Sequence, residues 1–181
     1  MANTLPDLCI EARDPLSEEA LFLLHEAALE ARELYQDLVD PATPMPTNPP
    51  LRDGDTYLVA FLDGNPVGCG APRKLDDRTT EVRRMYVLRQ ARRAGDGRAM
   101  LVRLEEEASR LGYEMLLLET GNRQGPAMAL YESYGFTRIP AFGPYVNDPT
   151  SGGHRWSSRR LKSDFEYQGD IPNQTLRLSY P

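Results

Sequence analysis

The stretch RQARRAGDGRAML, residues Arg89–Leu101, decides how the rest of the chain is interpreted. It places Gly95 and Gly97 one residue apart, after a predicted strand and before a run of apolar residues at helical spacing. The first N–H groups of a helix have no partner within the helix, and the helix dipole favours negative charge there. Glycine lets a backbone come close to a bulky anion because no Cβ is in the way. The stretch therefore raises the question of an anion site.

Arginines are concentrated around the two glycines. They are Arg83, Arg84, Arg89, Arg92, Arg93 and Arg98, and Asp96 is the only acidic residue between Val82 and Arg98. On an acidic protein this concentration favours a polyphosphate site. The alternative is a glycine-containing turn before a helix, with the arginines solvated. The two glycines taken alone leave both interpretations open.

Other phosphate-binding motifs do not fit the sequence. No G-x-x-x-x-G-K-[ST] pattern is present, which excludes the nucleotide-hydrolysing P-loop. The dinucleotide pattern G-x-G-x-x-G fails because Met100 stands three residues after Gly97.

The composition is that of an ordinary globular protein of one domain. The 181 residues are 40% hydrophobic and 27% charged, with a net charge of −6 that argues against general nucleic-acid binding. No apolar run is long enough to span a bilayer, and residues 1–15 lack the order of a signal peptide. Cys9 and Cys69 have no metal-ligand spacing, so we expect reduced structural cysteines, no metal and a cytoplasmic location.

Hydrophobic periodicity predicts an α/β protein with a mixed sheet and helices on both faces. The predicted order is β-α-loop-β-β-β-α-β-α-β. A strand over residues 8–12 is followed by a helix that Ser17 caps and that runs through Tyr35 and Leu38 to Pro41. The proline-rich PATPMPTNPP, residues 41–50, is interpreted as a stiff loop across the mouth of a pocket. The segments that follow predict a hairpin turning at residues 63–65, a strand over 79–88, two further helices and two further strands.

At this point the sequence resembles the GNAT superfamily of N-acetyltransferases. RRAGDG, Arg92–Gly97, is similar to its [Q/R]-x-x-G-x-[G/A] signature, and EVRRMYV and ETGNRQGPAMALYESYGF resemble its neighbouring strands, helix and aromatic turn. The resemblance implies the GNAT-like acyl-CoA acyltransferase fold over residues 1–150, with a central mixed sheet. It also implies an acetyl-CoA-dependent N-acetyltransferase that acts on a primary amine of a small molecule or amino acid. A non-catalytic acyl-CoA sensor on the same fold is the alternative.

The resemblance also implies where acetyl-CoA binds. Its pyrophosphate is expected on the backbone of the loop residues Arg92, Arg93, Ala94, Gly95, Asp96, Gly97 and Arg98. Its pantetheine arm is expected along the main chain of Met85, Tyr86 and Val87, with help from Gln124. Asp96 departs from the family pattern, which has an apolar residue here. We expect its carboxylate to turn away from the phosphates, and the affinity to be somewhat lower.

Acetyl transfer needs a base, an oxyanion donor and an acid, and the resemblance suggests one residue for each. Glu81 is the candidate base, Glu119 is the second choice, the Val87 N–H is the oxyanion donor and Tyr131 is the candidate acid. The resemblance also implies that Tyr35, Glu119 and the proline-rich segment form the acceptor site. Arginines near the cleft favour an acceptor with a carboxylate.

The chain after residue 150 does not fit the family pattern. Residues 151–181 form an atypical polar tail, in which TLRLSY could supply one late strand near residues 175–180. The partners expected are a small-molecule amine, with no nucleic acid and no membrane. A homodimer is left open.

Overall fold

A computed structural model describes residues 7–143, 146, 154–161 and 176–178. Three α-helices are present in this part: α1 (Glu18–Leu34), α2 (Asp96–Arg110) and α3 (Gly125–Tyr134). The strands are β1 (Leu8–Ala12), β2 (Leu58–Leu62), β3 (Asn65–Lys74), β4 (Thr79–Val87), β5 (Met115–Gly121), β6 (Thr137–Ile139), β7 (His154–Arg160) and β8 (Leu176–Leu178). None of the described helices is both long and apolar enough to cross a membrane.

The described strands form one mixed sheet in the order β6-β7-β5-β4-β3-β2-β1-β8. The pairing of β4 with β5 is parallel, and every other pairing is antiparallel. The β2–β3 hairpin turns at Asp63 and Gly64, which both have positive φ, as a type I′ turn requires. The sheet and its order of elements confirm the predicted α/β fold.

Helices α1 and α2 lie on opposite faces of the sheet. Tyr86, which pairs with Cys69 across β3 and β4, donates its hydroxyl to Glu30 of α1. The next residue of β3, Gly70, points to the other face, where an added Cβ would meet Leu104 of α2 at 2.9 Å. Both faces are therefore covered, as predicted.

The local signals for helix ends are confirmed at three places. The Ser17 side chain accepts a hydrogen bond from the Ala20 N–H at the start of α1. Gly112 and Gly135 follow α2 and α3 in the left-handed conformation, with φ of 88° and 98°.

The predicted extent of α1 is wrong. The helix ends at Leu34 because Arg123 donates to the Leu34 carbonyl and pairs with Asp37, so a tertiary contact caps it before Pro41. Leu38, which was expected inside the helix, lies beyond its end and is 70% exposed. The buried residues of α1 are Ala20, Leu23, Leu24 and Ala28.

The tail contains a strand that the sequence did not predict. β7 inserts between β5 and β6 and pairs with β5 from Met115↔Arg160 to Gly121↔His154. The strand was not predicted because its polar sequence, HRWSSRR, shows no apolar alternation. β8 falls where the late strand was expected and pairs with β1. The division of the chain at residue 150 stays a prediction.

Candidate active site

An opening in the sheet lies between β4 and β5. The two strands pair only from Thr79↔Met115 to Val82↔Leu118. Beyond Val82, β4 continues to Val87 with β3 as its partner, while β5 continues with β7. The edge of β4 at Met85–Val87 that faces β5 has no strand paired to it among the described residues. Such an edge can accept an extended ligand as an added strand.

The start of α2 stands at the same end of the sheet. Gly95 is the N-cap and has φ 98°, a left-handed conformation that side-chain-bearing residues rarely adopt. Gly97 allows a close approach of α3, since a Cβ there would lie 3.1 Å from the Leu130 side chain. Asp96 is only 2% exposed, so its side chain is buried beneath the loop. Arg93 and Arg98 are exposed beside the helix start.

Two of the arginines that suggested a phosphate site are engaged in ion pairs with α1. Arg92 forms two hydrogen bonds of 2.8 Å with the Glu30 carboxylate, and its Nε donates to the Val87 carbonyl at 2.8 Å. Arg89 pairs with Glu30 at 3.3 Å and with Glu33. These guanidinium groups fasten the loop to α1. Their presence near the glycines does not by itself indicate phosphate binding.

Glu30 is the centre of this cluster. Partial burial acts to raise its pKa, but the hydrogen bonds and charge of Arg92, with the charge of Arg89, outweigh burial and hold the pKa below its usual value. The same carboxylate accepts from the Tyr86 hydroxyl at 3.2 Å. Burial and then Glu30 raise the pKa of Tyr86 to about 12. This cluster could not be predicted, because its acidic members lie on a helix that is distant in sequence.

A cavity of about 660 Å³ lies beside the base of the opening. Glu81 lines it, together with Asn48, Pro49 and Pro50 of the proline-rich segment. Glu81 is 3% exposed, and an Arg83 Nη1 lies 3.6 Å from its carboxylate. The last residues of the segment thus line a pocket, and the candidate base lies in the wall of that pocket.

Arg84 enters the same cavity through an irregularity of β4. The β3–β4 register shifts between Cys69 and Ala71, and Arg84 opposite this bulge has φ 57°. A bulge redirects a side chain, and left-handed backbone costs a residue other than glycine about 1 kcal/mol or more. Arg84 Nε donates to Asn48 Oδ1 at 3.2 Å, and Nη2 donates to the Thr47 carbonyl at 3.0 Å. Alternation along a strand could not reveal this residue.

Tyr131 and Glu119 lie on the other side of the opening, on α3 and β5. The Tyr131 ring is buried and contacts Phe136 edge-on, at 5.8 Å between centroids. Burial and then the charge of Glu119 raise the pKa of Tyr131 well above its usual value. Gln124 caps α3 and accepts from the Thr120 hydroxyl at 3.3 Å.

Tyr35 is not brought to the cavity. Its hydroxyl accepts from the Arg123 N–H at 3.3 Å, and a Cβ on Gly121 would meet that hydroxyl at 1.9 Å. Neither Tyr35 nor Glu119 is among the residues that line the cavity. Of the expected acceptor-site residues, only the proline-rich segment is found there.

The family follows from comparison with known proteins. Residues 20–136 match the model of the Acetyltransferase (GNAT) family. The chain belongs to this family. It is therefore an N-acetyltransferase, as the resemblance implied.

Individual relatives extend the match beyond the family model. An IAA acetyltransferase of Azospirillum brasilense is 36% identical over 150 residues, which cover 81% of this chain and 95% of that protein. The N-acetylaspartate synthetase of Rattus norvegicus is 38% identical over 94 residues, which cover 51% of this chain and 31% of that protein.

Solved structures agree with the observed fold. A Klebsiella pneumoniae protein described as an acyl-CoA N-acyltransferase has 29% identity and a TM-score of 0.68, and the match covers 86% of this chain and 98% of that one. A GNAT acetyltransferase from Elizabethkingia anophelis, solved with acetyl-CoA bound, has 19% identity and a TM-score of 0.59. That match covers 85% of this chain and 98% of that one, and it concerns the fold alone.

Proposed function

We propose that this N-acetyltransferase moves the acetyl group of acetyl-CoA directly to a primary amine of a small molecule or amino acid. The observation that carries the proposal is the presence of three features along β4 and just beyond its end. They are the opening between β4 and β5, the glycine-capped start of α2 and a cavity with a buried carboxylate, Glu81, in its wall.

The residues at the opening fit acetyl-CoA. The backbone of residues 92–98, with Gly95 and Gly97 among them, would hold the pyrophosphate, and the exposed Arg93 and Arg98 add positive charge. The edge of β4 at Met85–Val87 would hold the pantetheine arm, and Gln124 offers its side-chain amide. The side chain of Arg92 has a different task, since it is bound to Glu30. When bound, acetyl-CoA supplies the acetyl group as an activated thioester.

The chain's own groups supply the proton transfers. Glu81 takes a proton from the ammonium group of the acceptor, directly or through one water, and Glu119 is the second candidate for this role. The Val87 N–H donates to the acetyl oxygen as negative charge develops there. As the amine nitrogen bonds to the acetyl carbon and the carbon–sulfur bond breaks, Tyr131 would give its proton to the departing sulfur, and the second proton lost by the amine would restore the tyrosine.

The names of two relatives support a small acceptor. An N-acetylaspartate synthetase makes an acetylated amino acid, and an IAA acetyltransferase is named for a single small compound. The cavity volume of about 660 Å³ lies in the range of small-molecule pockets.

Two measurements test the proposal. Isothermal titration of acetyl-CoA into the purified protein should give saturable heat, and thiol release from acetyl-CoA should accelerate when a suitable amine is added. Heat without thiol release across an amine library would favour the acyl-CoA sensor. The absence of heat at millimolar acetyl-CoA and low salt would refute both the proposed acetyl transfer and the acyl-CoA sensor.

A further inference from the structure

The cavity beside Glu81 is strongly basic. Its wall contains one acidic side chain, Glu81, and five basic ones. The basic residues are Arg52, Arg73, Lys74, Arg83 and Arg84. Such a wall selects ligands by charge, and the selection depends on which of these cations already have a carboxylate partner.

Three of the five cations have a carboxylate outside the cavity wall. The buried Asp55 lies 3.2 Å from Arg52 Nε and 3.3 Å from Arg73 Nε, and Asp77 lies 2.7 Å from Lys74 Nζ. Among the described residues, the carboxylate at salt-bridge distance from Arg83 is that of Glu81, at 3.6 Å. Within the described parts of the chain, no carboxylate lies at salt-bridge distance from Arg84. Its described partners are the neutral oxygens of Asn48 and Thr47.

The remaining donors of Arg84 are suited to a planar anion. Guanidinium carries five N–H groups, and the two contacts with Asn48 and Thr47 use one hydrogen each on Nε and Nη2. The Nη1 group and the second hydrogen of Nη2 remain, and this edge can bind a carboxylate through two parallel hydrogen bonds. The bulge and the contact of Cys69 Sγ with the Arg84 carbonyl, 3.1 Å, fix the backbone that carries the side chain.

A second polar group lies in the same wall. Tyr57 is 2% exposed, and its hydroxyl makes no hydrogen bond to the described residues that meets ordinary geometry. Burial raises its pKa well above the usual value, so the hydroxyl is a neutral donor. The hydroxyl lies near the side chains of Cys69 and Asn48 without good hydrogen-bond geometry, and a ligand oxygen would give it a well-aligned partner.

We infer that Arg84 and Tyr57 form a carboxylate subsite, so that the acceptor is an amino acid whose carboxylate binds there while its amine faces Glu81. The inference rests on the proposed acetyl transfer, and it makes Arg84 the residue that determines specificity. Asn48 positions the guanidinium. Two groups of opposite charge in one small cavity thus recognise the two charged groups of one acceptor.

The test compares amino acids with their amides. L-Aspartate, L-glutamate, L-phenylalanine and L-methionine are each offered as the free acid and as the α-carboxamide, which has nearly the same shape without the charge. The amide also has the less basic amine, so intrinsic reactivity favours it. For at least one pair, kcat/KM should be roughly 10- to 100-fold higher for the acid, as expected for a charge-assisted hydrogen bond.

The variant Arg84→Gln should lower kcat/KM for the acid by a similar factor, mainly through KM, and leave the amide within about threefold of the wild-type value. Arg84→Lys should restore part of the preference. Lys74→Gln removes a cation from the same wall and is the matched control, because Lys74 already pairs with Asp77. Lys74→Gln should leave kcat/KM unchanged for both the acid and the amide. The melting temperature of each variant shows whether it is folded.

Equal activity on acids and amides, or an equal loss on both in Arg84→Gln, would refute the subsite. If the whole panel is inert while polyamines or aminoglycosides are acetylated, the subsite is refuted and the proposed function stands. If no amine of any class releases thiol from acetyl-CoA, the proposed function itself fails and the subsite fails with it.

Discussion

Replacing Gly95 by alanine separates the structural cost of the loop before α2 from its contribution to binding. Gly95 has φ 98°, where a Cβ costs about 1–2 kcal/mol. Alanine also lowers the conformational entropy of the unfolded chain, which stabilises the folded protein by about 0.4–1 kcal/mol. The net loss of stability is therefore about 1 kcal/mol. For a chain of this size, that lowers the melting temperature by about 2–4 °C.

Gly112→Ala is the matched control at the other end of the same helix. Gly112 has φ 88°, and a Cβ there would meet no atom within 4 Å. The two variants should lose similar stability. Only Gly95→Ala places a methyl group where the acetyl-CoA pyrophosphate is proposed to bind, so its dissociation constant should rise by about tenfold, or about 1.4 kcal/mol.

The assay is isothermal titration of acetyl-CoA, with calorimetric melting of both variants. If Gly95→Ala binds acetyl-CoA as tightly as Gly112→Ala does, the pyrophosphate does not bind on the loop before α2. A stability loss in Gly112→Ala alone would contradict the left-handed backbone at Gly95. Both results can be read without knowing the amine acceptor.

Three further predictions concern single side chains. Glu81→Gln should lower kcat by about 10²-fold or more with unchanged acetyl-CoA binding, if Glu81 is the general base; a loss confined to KM would argue against that role. Tyr131→Phe should slow turnover by on the order of 10²–10⁴-fold, and because its pKa is raised, the wild-type rate should show no fall from loss of this proton between pH 8 and 10. Glu30→Gln should cost about 0.5–1 kcal/mol at neutral pH, as for a partly exposed ion pair. The folded pKa of Glu30 is lowered from 4.5, so the ion pair stabilises above that pH and is lost as the pH falls through the folded value. The difference in melting temperature between Glu30→Gln and the wild type should shrink below pH 4.5, and a constant difference would contradict the assignment.

The parts of the fold that the sequence predicted depend on local signals. Alternation, the two-residue turn at Asp63 and Gly64, and the helix caps at Ser17, Gly112 and Gly135 act over a few residues, and the structure confirms them. The predicted end of α1 was wrong because the observed end depends on a contact with Arg123, which is distant in sequence. The polar strand β7 was missed because alternation is weak where a strand lacks apolar residues.

The candidate site was predictable to a similar degree. Glu81 and the glycines could be placed because they lie on one continuous strand–loop–helix segment. The pairing of Arg89 and Arg92 with α1 could not be predicted, since the charge of an arginine does not reveal its partner. Arg84 was noted only as one of the arginines near the glycines. Its position in the cavity wall could not be predicted, because a bulge changes the direction of a side chain without leaving a pattern in the residues around it.

The insertion of β7 has a consequence for biosynthesis. β6, Thr137–Ile139, pairs with β7 and not with β5, so it cannot join the sheet until His154–Arg160 has left the ribosome. Until then one edge of β5, whose Leu116 and Leu118 are buried in the finished protein, lacks its neighbour. A nascent chain paused in this interval exposes an apolar strand edge of the kind that chaperones bind and that aggregates recruit.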